Sequence, residues 1–180
     1  MQPGQDFGLY EARREHDACG IGLVVNVSGQ AERRVIDLAR TAVLNLQHRG
    51  AAGADETTGD GAGILFQLPD AFCRFAAGSA GVTLPQAGAY EVAMCFLPTD
   101  DAVRGQCRLL LERAVSHAGM TPLCWRDVPA DNGCLGELAR RCEPRIAQLF
   151  IDGEGRTGED FERALYLARR RAERLVREQM

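Results

Sequence analysis

Cys19 heads an aliphatic run, Gly20-Ile21-Gly22-Leu23-Val24-Val25-Asn26-Val27, behind eighteen mostly polar residues with no sustained period. A thiol becomes a nucleophile only when its pKa is lowered or a base takes its proton, and no base stands beside Cys19 in sequence. Cleavage of the Ala18–Cys19 bond would supply one. The freed α-amine titrates at about 7.7–8.0, against about 8.5 for a thiol, so it can accept the thiol proton. A second group of residues offers what such a nucleophile lacks. In His48-Arg49-Gly50 the guanidinium can bind or orient a carboxylate, and the glycine lets the backbone approach a substrate closely. Other uses of the same residues stay open: Cys19 as an inert strand thiol, Arg49 as one half of a loop-bracing ion pair, and Asp60 as a turn cap. A phosphate loop at Gly59–Gly63 is disfavoured by the missing Lys-Ser/Thr and strand-to-helix setting.

The elements that would carry these groups follow from periodicity. Residues 19–27 are expected to form a strand, ended by a turn at Ser28-Gly29. Val35, Leu38, Ala39, Ala42, Val43 and Leu46 mark the apolar stripe of a helix that delivers His48-Arg49-Gly50. The stretch from His48 to Gly63 is too rich in glycine for regular structure. Beyond it the pattern predicts a buried strand at Ile64–Leu68, a helix over Ala71–Ala77 opened by Pro69-Asp70, a strand at Tyr90–Leu97, and a helix over Asp101–Ala118 with Thr99 as its cap. Gly119 should end that helix. Strands at Met120–Val128 and Arg145–Ile151 flank a helical piece at Leu135–Cys142, a turn follows at Asp152–Gly155, and Glu159–Met180 is an amphipathic helix. No Gly, Asn or Pro caps its end, which leads us to expect a chain cut there rather than finished.

Composition narrows the function classes. A net charge of −4 opposes nucleic-acid binding, which requires a basic surface to neutralise phosphates. All 21 basic side chains are arginine, a bias to which we attach no function. Seven cysteines at 19, 73, 95, 107, 124, 134 and 142 show neither the CxxC spacing of a metal site nor the pairing of a disulfide scaffold. No signal-peptide run and no stretch of 18 apolar residues occurs, so neither membrane nor export is expected and the chain is assigned to the cytoplasm. At 180 residues it is long enough for a core of its own.

Several ordered motifs point further: Glu15-His16-Asp17-Ala18-Cys19-Gly20-Ile21-Gly22, Leu44-Asn45-Leu46-Gln47-His48-Arg49-Gly50-Ala51, Gly53-Ala54-Asp55 and Thr58-Gly59-Asp60-Gly61-Ala62-Gly63-Ile64-Leu65. Together they closely resemble the amino-terminal class II glutamine amidotransferase domain of the bacterial glutamate synthase large subunit. The run Phe161–Arg170 is similar to a later helix of that family. The resemblance implies an α+β fold of the N-terminal-nucleophile type, an αββα four-layer sandwich of which only the first half is present here. It implies a propeptide, residues 1–18, ahead of a partial amidotransferase domain, 19–180. Cys19 would attack the side-chain amide of glutamine, with Arg49 and Gly50 at the substrate. A thioester would form, ammonia would leave, and water would release glutamate. The remainder of the large subunit and a small subunit would be the partners, and FMN and an iron-sulfur cluster the cofactors there. None of these 180 residues is assigned to either cofactor or to a metal.

The family's later arginine motif, which holds the glutamine α-carboxylate, and its later Asn-Gly oxyanion pair do not occur after Tyr166, and Asn132-Gly133 lies in an unrelated context. Loss of an oxyanion donor costs on the order of 10²–10³ in rate. The expectation is therefore an incomplete, weak or inactive glutaminase. The alternatives are a non-catalytic fragment and the amidotransferase domain of another class II enzyme.

Overall fold

The computed structural model describes residues 20–50, 55, 57–59 and 61–179. Cys19, Asp60 and the expected propeptide lie outside these residues. The chain mixes helices and strands and divides into two compact units, the first running to Phe66 with Leu135–Leu138 added, the second holding the rest.

In the first unit, α1 (Arg33–Asn45) forms on the expected stripe, with Val35, Ala39, Ala42, Val43 and Leu46 half-buried but Leu38 exposed. The turn at Ser28-Gly29 is present. Asn26 Oδ1 accepts from the Ser28 amide at 3.0 Å and Gly29 takes a φ of 70° that favours glycine. The preceding segment departs from expectation, for residues 20–26 run without ladder pairing and Ile21 and Val27 are 91% and 97% exposed. Alternating apolar residues specify an extended chain with an apolar face, whereas a strand also requires a hydrogen-bonding neighbour. Among the described residues no segment supplies one. The same reason overturns the buried strand expected at Ile64–Leu68, which is exposed and unpaired. What residues 20–22 do contact is α1: a Cβ at Gly22 would stand 3.5 Å from the Ala42 methyl.

The second unit is built on a three-stranded antiparallel sheet ordered β1-β3-β2, with β1 at Tyr90–Leu97, β2 at Thr121–Asp127 and β3 at Arg145–Asp152. Tyr90 pairs with Asp152 and Leu97 with Arg145, while β2 carries an irregularity between Pro122 and Cys124. The period-2 alternation sorts the side chains. Ala93, Leu149, Ile151 and Trp125 face Val115, Met120, Phe161 and Ala168 of the elements around α3 (Asp101–His117) and α5 (Gly158–Gln179). The opposite face sets Tyr90 and Phe150 against Cys73, Ala76 and Ala77 of α2 (Asp70–Gly78). This cover is partial, and further along the same face of β1 Met94 is 50% and Phe96 67% exposed.

Helix ends follow local chemistry. Asp100, not the expected Thr99, caps α3, its carboxylate accepting from the Val103 amide at 2.9 Å. Gly119 ends α3 with a φ of 72°. The short α4 (Glu137–Arg141) occupies the centre of the piece expected at Leu135–Cys142.

Candidate substrate site

Arg49 and Gly50 are delivered by a change of helical pitch. After α1 the chain tightens into a 3₁₀ turn at Gln47–Arg49, where the Arg49 amide donates to the Leu46 carbonyl at 2.8 Å and the Gly50 amide to the Gln47 carbonyl at 3.1 Å. His48 Nδ1 donates to the Asn45 carbonyl at 3.0 Å, which directs that ring back onto the helix end. Arg49 is exposed and makes no ion pair with a described residue. Gly50 has an extended backbone, φ −82° and ψ 151°, and among the described residues a Cβ there would meet only Gln47 O at 3.5 Å. No conformational demand requires this glycine.

Gly20 belongs to the same cluster. A Cβ on it would sit 3.2 Å from Leu46 Cδ2 and 3.5 Å from Arg49 Cβ. The backbone one peptide bond from Cys19 therefore lies against the turn that carries Arg49, and a side chain at 20 would press on the Leu46 methyl, which would have to give by a few tenths of an ångström.

The later glycine segment is held differently. Asp55 accepts from the Thr58 amide at 2.9 Å, the Thr58 hydroxyl at 2.7 Å and the Leu138 amide at 3.1 Å. These donors favour the charged form, the Thr58 hydroxyl most and the Leu138 amide next, and keep the carboxyl below the usual carboxylate range. Gly61 takes a φ of 81°, which accounts for one glycine of the Thr58–Gly63 stretch. Sequence reasoning missed Asp55. Its spacing to Thr58 is visible as a turn signal, but the partner 83 residues away lies outside any local pattern.

Three of the remaining thiols are poor candidates for a nucleophile. Burial raises the pKa of Cys73 and Cys124 and pushes that of Cys95 to about 11, so all three remain protonated and weakly nucleophilic near neutrality. Cys107 is buried, and Cys134 and Cys142 are exposed. Asn132 donates to Glu143, an engagement that suits a loop brace. In the second unit, a groove of about 740 Å³ between α3 and α5, lined by Ala114, His117, Arg163, Leu167 and Arg171 among others, contains neither Arg49 nor Gly50. Among the described residues no group of three His, Cys, Asp or Glu could hold a metal ion, and no helix is long and apolar enough to cross a membrane.

Comparison with known proteins gives a consistent outcome. The family model described as "Glutamine amidotransferases class-II" matches residues 19–180. "Glutamate synthase [NADH]" of Schizosaccharomyces pombe is 35% identical over 175 residues, covering 93% of this chain and 8% of that protein. "Glutamate synthase [NADPH] large chain" of Bacillus subtilis is 36% identical over 168 residues, covering 92% and 11%. Its namesake in Azospirillum brasilense is 34% identical over 170 residues, covering 93% and 11%. The chain thus spans about a tenth of the length of the curated relatives it matches.

Proposed function

The chain belongs to the class II glutamine amidotransferases, and on that footing we propose that it is a glutaminase domain whose nucleophile is Cys19, freed by removal of residues 1–18. The observation that carries this reading is the packing of Gly20 on Leu46 and on the base of the Arg49 side chain, which brings the chain next to Cys19 against the turn that carries Arg49. The Cys19 α-amine takes the thiol proton, and the thiolate adds to the side-chain carbonyl carbon of glutamine. Collapse of the tetrahedral intermediate breaks the C–N bond, the ammonium returns its proton to the leaving nitrogen, and ammonia departs from a thioester. Water then cleaves the thioester to glutamate and regenerates the thiol. Arg49 binds the substrate carboxylate bidentately, and Gly50 permits the close approach that this requires.

The domain's place is that of the amidotransferase part of a glutamate synthase, where the released ammonia meets 2-oxoglutarate in the remainder of the large subunit, with the small subunit as a further partner. FMN and an iron-sulfur cluster belong to those other parts. No step above passes through either group. The described cysteines form no disulfide with one another, which suits a reducing cytoplasm. The half-covered sheet supports an αββα sandwich: α3 and α5 form the outer helical layer, and the face bearing Met94 and Phe96 is where a second sheet would lie.

Intact mass of purified active protein tests the mechanism, with an amino terminus at Cys19 expected and residues 1–18 still attached to an active enzyme as the contrary result. Cys19→Ser should lose most glutamine hydrolysis, since a hydroxyl is a far weaker nucleophile near neutral pH. Turnover near that of the unsubstituted protein would move the nucleophile elsewhere.

A further inference from the structure

In the second unit the groove between α3 and α5 carries a charge opposite to that of the chain. Arg163, Arg170, Arg171, Arg174 and Arg177 line it beside two carboxylates, Asp160 and Glu173, although the net charge of the protein is −4. One of those carboxylates is already neutralised, for Glu173 accepts from Arg169 Nε at 2.9 Å and from Arg170 Nη1 at 2.6 Å. Arg174 stands 3.5 Å from Glu178. Arg163, Arg171 and Arg177 form neither a hydrogen bond nor an ion pair with a described residue. All three line the same groove, and at 1.5 Å of helix rise per residue their roots lie about 12 and 9 Å apart along the axis of α5. Ala114 and Ala118 of α3 and Ala164 of α5 give the groove small side chains, which let another backbone come close, and Leu167 is 57% exposed in it.

We propose that this groove docks an acidic, amphipathic helix of a partner protein, with its carboxylates on Arg163, Arg171 and Arg177 and its apolar residues on Leu167 and the alanines. Charge complementarity and spacing select this occupant. The three arginines span about 21 Å, so a single phosphate or small carboxylate cannot engage them all. A helix laid along α5 has the same rise and presents glutamates about 11 Å apart, two turns, to each arginine in succession. The guanidinium fork binds a carboxylate bidentately, and arginine is enriched where proteins meet. A nucleic acid is disfavoured, because the net charge of −4 opposes binding to a phosphate backbone. The groove belongs wholly to the second unit, so this inference stands apart from the reading of Cys19 and Arg49.

The test uses a stapled synthetic helix with glutamate at every second turn on one side and leucine and alanine beside it, labelled for fluorescence anisotropy with the 180-residue chain. The helix should bind, and its counterpart with lysine for glutamate should not. Arg163→Glu, Arg171→Glu and Arg177→Glu combined should lower the affinity about tenfold or more, since like charges brought together oppose association. The control reverses three exposed arginines outside the groove, Arg34, Arg40 and Arg113, and should change the affinity by less than about twofold at 0.15 M salt, where charges more than about 8 Å apart are largely screened. Leu167→Ala should weaken binding several-fold, which attraction to net charge alone does not explain. Helical circular dichroism checks the fold, and the corresponding triple glutamine variant replaces the glutamate one should that lose helicity. Absence of binding by the acidic helix overturns the proposal. Equal loss in the groove and control variants, or full affinity in Leu167→Ala, overturns the groove as its seat. Tighter binding of tripolyphosphate or of a duplex oligonucleotide, lost in the same groove variant, overturns the acidic helix as occupant and reassigns the groove to a phosphate ligand.

Discussion

A guanidinium without an acidic neighbour keeps all five donors for a ligand, and Arg49 is in that state among the described residues. Its delivery by a 3₁₀ turn matters as much as its charge, because that turn sets the base of its side chain beside Leu46 against Gly20. Lysine would keep the charge but lose the planar fork. Charge-assisted hydrogen bonds contribute about 1.5–3 kcal/mol, so Arg49→Lys should raise the glutamine KM by roughly tenfold or more with a smaller effect on kcat. Steady-state kinetics decide it, and an unchanged KM would remove Arg49 from the substrate site. The residue types of this candidate site were visible in the sequence, since Cys, Arg and Gly can serve as nucleophile, carboxylate ligand and point of close approach, but by chemistry alone their inert and bracing uses stayed open, and only the family resemblance joined them. The role of Asp55 was not visible, for its second partner lies on α4 and only folding brings the two together.

Elements were legible wherever one segment contains its own reason for existing. β1 occupies the expected residues, and α3 and β3 differ from expectation by a residue at one end, because periodicity and turn chemistry specify them locally. Residues 20–27 and 64–68 form no strand with the described residues because pairing is not a local property, and their alternation defines only an extended chain. Two predictions belong at this scale. Asp100→Ala removes the oxygen that accepts from the Val103 amide and should destabilise the second unit by about 1 kcal/mol, read by denaturant unfolding followed at the single tryptophan, Trp125. The second concerns acid. Asp70 accepts from Arg74 Nε at 2.9 Å and from the buried Tyr90 hydroxyl at 2.9 Å, and these bonds, the arginine's first, hold its carboxyl below the usual range. A depressed folded pKa stabilises the native state fully above the unfolded value of about 3.9 and loses that contribution as pH falls through the folded value. Asp70→Asn should therefore lower stability at neutral pH and flatten its decline below about pH 4. A parallel decline in both proteins would show that other carboxylates govern acid unfolding.

At the scale of the whole molecule the second unit has a finished face and an unfinished one. The finished face buries Leu149, Ile151, Phe161 and Val115 under α3 and α5. The other is closed by α2 around Tyr90 and Phe150, then runs out to Met94 and Phe96, while Phe72 and Phe75 on α2 are also exposed, at 46% and 74%. Such aromatic and thioether groups together exceed the scattered apolar residues normal on a monomer's surface and mark a face made to be covered. Burial returns about 25 cal/mol per Å² of apolar surface, so copies of this chain gain free energy by covering one another when nothing else does. Sedimentation should accordingly show the 180-residue chain associating as its concentration rises. Replacing Met94 and Phe96 together by glutamate places charge on that face without touching the core side of β1, whose Ala93 packs on the opposite cluster. The double variant should sediment as a monomer with its β-sheet circular dichroism intact. Association that persists undiminished would locate the adhesive surface elsewhere, with the exposed Ile21, Leu23, Val25 and Val27 as the next face to charge.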